Sequence, residues 1–79
     1  MNIRNVVGSR LRQIRKNLNP PVTQLELVAR LQTQGIPMDQ STLSKIENGQ
    51  RPVTDTEIAA FAEALKVPIG SLFEDRSEK

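Results

Sequence analysis

A helix-start device recurs three times in this chain, and it leaves room only for short helices. In Val22-Thr23-Gln24-Leu25-Glu26-Leu27, Thr23 and Glu26 stand at capping-box spacing, and Val22 and Leu27 at the spacing of a hydrophobic staple. Val53-Thr54-Asp55-Thr56-Glu57-Ile58 repeats both features. At the third start, Asp39 can accept from the unpaired N–H groups of a first turn, and Met38 with Leu43 again has staple spacing. Stop signals separate the starts. Asn19-Pro20-Pro21 and Lys66-Val67-Pro68 break a helix, Gln34-Gly35-Ile36-Pro37 is a stop and connection, and Asn48-Gly49 supplies the left-handed turn that ends a helix.

Apolar periodicity fills the intervals. Val7, Leu11, Ile14 and Leu18 give helix one over about residues 5 to 18. Leu27, Val28 and Leu31 are the buried positions of helix two, Gln24 to about Thr33. Leu43 and Ile46 give helix three a narrow buried stripe, and Ile58, Phe61, Ala62 and Leu65 give helix four one buried face. Ile69 to Phe73 can add a last helical turn. No strand alternation and no second domain is visible. The expectation is one all-α domain over residues 1 to 79, with 1 to 4 as a loose arm and 74 to 79 as a frayed polar tail.

Composition removes several function classes. The 79 residues hold no Cys and no His, so there is no disulfide or thiolate metal site and no imidazole base. Phe61 and Phe73 are the sole aromatics, too few for base stacking on single strands. No apolar run reaches the length of a membrane span and no signal-peptide pattern opens the chain, so a cytoplasmic location is expected. Five carboxylates lie between Asp55 and Asp75, without His, Cys or a Gly-rich phosphate loop beside them. Neither catalysis nor a cofactor or metal is expected.

Charge is distributed unevenly. Residues 1 to 51 carry eight Lys/Arg against Glu26, Asp39 and Glu47, whereas residues 52 to 79 carry three basic and six acidic residues. A basic front and acidic back would orient the molecule toward a polyanion, although small helical proteins often have uneven charge. Arg10, Arg12, Arg15 and Lys16 fall on helix one. Arg10 and Arg12 read as a solvated basic face that aids long-range attraction, while Arg15 sits beside the apolar stripe and could turn inward.

Gln40, Ser41, Ser44 and Lys45 remain on the outer face of helix three. Amide and hydroxyl groups with one cation suit the edges of bases in a DNA major groove. A merely solvated polar face fits this stretch as well.

The chain resembles the Cro and phage-repressor (XRE) type of helix-turn-helix domain. The resemblance rests on Gly8 to Lys16, Thr23-Gln24, Glu26-Leu27, Ser41 to Gly49, Arg51-Pro52 and Ile58 to Phe73. It implies a compact, lambda-repressor-like bundle of about five helices, with helix three lying in the major groove. Carried over by position, Gln40, Ser41, Ser44 and Lys45 would touch bases. Gln24, Asn48, Gln50 and Arg51 would touch phosphates. Arg15 and Glu47 would form a buried pair tying helix one to helix three.

Each position also has a plain alternative. Gln24 could be solvated, Lys45 an ordinary surface lysine, Ser41 and Ser44 small residues for close helix approach, and Glu47 a cap on the turn. One departure stands out. Family members join helices two and three by a turn of about four residues. Here Leu31 to Leu43 holds about five residues more, so helix two gains a turn or the connection bulges.

Together these readings imply a sequence-specific regulator of double-stranded DNA, acting as a repressor and bound as a homodimer. Val67, Ile69, Leu72 and Phe73 are the candidate dimer surface. The alternative is a protein-interaction module, or the antitoxin-type half of a neutralising pair, working through a protein partner on the acidic C-terminal side.

Overall fold

A computed structural model describes residues 7 to 73. The elements are α1 Gly8–Asn17, α2 Gln24–Thr33, α3 Gln40–Glu47, α4 Asp55–Leu65 and a 3-10 turn, Ile69–Leu72, with no strand among the described residues. The expected fifth helix is thus a single 3-10 turn. Four residues that begin after Pro68 and contain Gly70 gain too few hydrogen bonds to repay α-helix nucleation. The expected start of helix one at Asn5, the arm over 1 to 4 and the tail over 74 to 79 lie outside the described residues.

The caps explain the helix starts. The Thr54 hydroxyl accepts from the Glu57 N–H at 3.1 Å, and the Glu57 carboxylate accepts from the Thr54 N–H at 3.1 Å, which completes the expected box. Only half of the expected box forms at α2. Thr23 Oγ1 accepts from the Glu26 N–H at 3.0 Å, but the Glu26 carboxylate turns along the helix to Arg30 at 2.8 Å. A guanidinium one turn away is a stronger donor than a neutral backbone N–H. At α3, Asp39 Oδ1 accepts from the Thr42 N–H at 2.8 Å.

Three helices end in the same way. The N–H groups of Ile36, Gln50 and Val67 each reach back to a carbonyl five residues earlier, on Leu31, Lys45 and Ala62. Each such closure requires a left-handed residue, and these are Gly35 at φ 82°, Gly49 at φ 76° and Lys66 at φ 60°. Lys66 fills with a side chain a place that glycine occupies twice.

The extra residues between helices two and three lie in the connection. α2 stops at Thr33, as the periodicity predicts, and residues 34 to 39 form a loop that is held down. Gln32 Nε2 donates to the Met38 carbonyl at 3.0 Å, and Met38 is buried. Ile36 packs against the core.

The core is a single cluster in which Phe61, Leu11, Leu27, Leu31, Leu43, Ile46, Leu65 and Leu72 are fully enclosed. Leu18 and Ile58, expected inside, are only partly buried at its rim. In α4, Ala60 and Ala64 are buried beside Phe61, Ala62 and Leu65. Their small side chains allow α2 to reach the α4 backbone. Arg30 Nη1 donates to the Ala64 carbonyl at 2.8 Å, and Gln34 Nε2 to the Ala60 carbonyl at 3.0 Å. Arg30, on α2, thereby satisfies one of the unpaired carbonyls in the last turn of α4, and Gln34, just past the end of α2, adds a second tie to the α4 backbone.

Candidate nucleic-acid interface

The α3 stripe of Leu43, Ile46 and Glu47 faces inward, which leaves Gln40, Ser41 and Lys45 exposed and Ser44 half-buried. With i, i+3, i+4 spacing these four positions share one outward sector. Asp39 stands at its N-terminal edge. The Thr42 backbone N–H holds the Asp39 carboxyl below the usual aspartate range, with lesser help from the Thr42 side chain and the Lys45 charge.

Beneath this face lies an ion pair. Arg15 Nε donates to Glu47 Oε2 at 2.7 Å and Nη2 to Oε1 at 2.8 Å, a bidentate fork. Arg15 Nη1 donates to the Val22 carbonyl at 3.0 Å, so all three guanidinium nitrogens are used. Arg15 is 6% and Glu47 5% exposed. Two charges removed from water gain little net stability even when well paired, because desolvation offsets most of the attraction. What the fork does supply is geometry, since it sets α3 against α1 and against the loop entering α2.

A chain of amides leads from this pair to the surface. Gln24 Nε2 donates to Glu47 Oε1 at 3.1 Å, and Gln40 Nε2 donates to Gln24 Oε1 at 3.3 Å. The carboxylate can only accept, so the Gln24 amide must turn its NH2 inward and its oxygen toward Gln40. Gln40 must then offer NH2 to Gln24. Its oxygen and second N–H remain for another partner, and so does the second N–H of Gln24. A buried charge thereby orients two surface amides.

The phosphate candidates divide. Asn48 and Gln50 are exposed where α3 ends. Gln24 belongs to the amide chain. Arg51 is clamped by Nη1 to Glu57 Oε1 at 3.0 Å and by Nη2 to Oε2 at 3.1 Å. That hydrogen bonding raises the Arg51 pKa further. At Glu57, burial pushes the pKa up, and hydrogen bonds from Arg51 and Thr54 more than reverse this, leaving it below the ordinary glutamate range. Of the candidate dimer residues, Leu72 is enclosed in the core and Val67 is half-buried, while Ile69 and Phe73 are 49% and 51% exposed.

Sequence reasoning missed the Arg51–Glu57 clamp, the amide chain and the Arg30 contact to α4. None had a local signal. Gln24 and Gln40 meet across the lengthened connection, and nothing in their spacing requires it. Among the described residues no group of His, Cys, Asp or Glu could hold a metal ion, and no helix is long and apolar enough to cross a membrane.

No curated protein and no solved structure matches the chain. A family profile described as a helix-turn-helix domain matches residues 6–74. That span takes in α1 to α4 and the 3-10 turn, with the ion pair, the amide chain and the exposed α3 face inside it, and the chain belongs to the helix-turn-helix domain family.

Proposed function

We propose that the domain is a sequence-specific regulator of double-stranded DNA, of the Cro and phage-repressor type, which represses by occupying its operator. α3 enters the major groove. The oriented Gln40 amide offers one acceptor and one N–H, the complement of adenine N6 and N7, and Lys45 suits guanine O6 and N7. Ser41 and Ser44 contact the intervening base edges. Gln24, Asn48 and Gln50 seat the domain on phosphates, and Arg51 adds positive charge to the same strand from its clamp on Glu57.

The observation that carries this reading is the hydrogen-bonded chain Arg15–Glu47–Gln24–Gln40. A solvated polar surface has no use for a buried ion pair that fixes which way a surface amide points. Two copies related by a two-fold axis bind half-sites about 34 Å apart, joined through Ile69 and Phe73, two large apolar side chains exposed on the last turn.

Selection of bound DNA from a random pool tests the proposal. A recovered sequence with two-fold symmetry and an adenine whose preference is lost in Gln40→Ala supports it. Recovery of no sequence would refute it and favour the alternative, a module that binds a protein partner.

A further inference from the structure

We propose that Arg12 and Lys16 form a second phosphate-contacting wall, on α1, that grips one DNA strand beside Gln24; this rests on the DNA-binding reading above. α1 carries Arg10, Arg12, Arg15 and Lys16 and no carboxylate within Gly8–Asn17. Two of the four cations have internal work. Arg10 Nε donates to the Ser71 carbonyl at 2.9 Å, tying α1 to the 3-10 turn, and Arg15 is spent on Glu47. Arg12 and Lys16 are exposed and take part in no ion pair among the described residues.

They stand four residues apart, a spacing at which like charges oppose helix formation. Lys16, in the last turn, gains from the helix dipole, but Arg12 lies a turn earlier and does not. Helix stability therefore does not account for the pair. Both side chains line a groove whose other wall is Gln24, Gln40, Ser44 and Asn48, with the Arg15–Glu47 pair at its floor. Leu25, 63% exposed, stands at the same groove and is one of three large apolar side chains left exposed among the described residues. A nucleic-acid strand alternates anionic phosphates with apolar sugar faces. A groove that sets two cations beside an uncovered leucine, continuous with the α3 face, complements that alternation.

The test is the double variant Arg12→Gln/Lys16→Gln on the selected operator, with the thermal unfolding midpoint as a folding control. The expected result is an unchanged preferred sequence, weaker binding to every sequence, and a salt slope shallower by about 1.8, two phosphates at about 0.9 each. The single variants Arg12→Gln and Lys16→Gln, each expected to make the slope shallower by about 0.9, keep the test valid if the double variant unfolds, and a charge-keeping pair, Arg12→Lys/Lys16→Arg, should retain the wild-type slope. An unchanged slope and affinity, with wild type still selecting DNA, overturns this wall and leaves the α3 reading intact. A shifted base preference at constant slope also overturns it, because the side chains would then reach bases. A wild-type protein that selects no DNA overturns the reading beneath it.

Discussion

Replacing Glu47 with glutamine separates what the buried ion pair does for stability from what it does for recognition. The side chain keeps its shape, yet it can now accept at only one of the two oxygen positions. Arg15 donates to both, at 2.7 and 2.8 Å, and Gln24 donates to one of them as well. Whichever way the new amide turns, an N–H faces an N–H. The guanidinium stays 6% exposed and keeps only the Val22 carbonyl as a second partner. Breaking a buried pair in this way costs about 3–5 kcal/mol. A domain of this length has roughly 4–12 kcal/mol in total, so Glu47→Gln should lower the melting temperature by at least about 12 °C. Removing both partners, in Arg15→Met/Glu47→Leu, abolishes the desolvation cost together with the attraction. That variant should melt near wild type or above it. It also leaves Gln24 with no acceptor to orient it, so the preference read by Gln40 should relax in a protein that is fully folded. Circular-dichroism melts of the wild type, Arg15→Met, Glu47→Leu and the double variant close the cycle, and selection on the double variant reads the second effect. A Glu47→Gln protein within about 1 kcal/mol of wild type, or a double variant as unstable as the single, would refute the stability argument. Retained preference in the stable double variant would refute the orienting role.

The remaining predictions follow from the helix ends and the surface. Lys66→Gly should raise stability by about 1 kcal/mol, because a β-carbon at φ 60° is strained and glycine is not; equal or lower stability in chemical denaturation contradicts this. Glu57 has a folded pKa below its unfolded value, so its stabilisation is complete above the ordinary glutamate range and is lost as pH falls through the depressed folded value. Melts between neutral and acid pH should therefore show a fall that is shallower in Glu57→Gln, and parallel curves count against the Arg51–Glu57 clamp. Phe73→Asp should leave the fold intact and shift operator binding from dimer to monomer in sedimentation; a dimer that persists moves the interface elsewhere.

Local chemistry made the helices legible before any coordinates. Thr23, Asp39 and Thr54 act on backbone groups within three residues, and Gly35 and Gly49 end helices by their own backbone freedom, so α2, α3 and α4 begin and end where composition places them. The inward stripe of Leu27, Val28, Leu31, Leu43 and Ile46 follows from helical period alone. The outward sector of α3 was readable for the same reason, being what that stripe leaves over.

Contacts between distant residues were decided only when the helices packed. The amide of Gln24 turns inward because Glu47 arrives beside it from α3, and Arg51 is clamped because the start of α4 presents Glu57. Glu26 gave up its capping role because a better donor, Arg30, stood one turn away. Helical period assigns a side chain to a face, but hydrogen-bond partners depend on where other segments come to rest. That is why the sequence by itself determined which residues point out of α3, and only the tertiary structure decided which way their polar atoms turn.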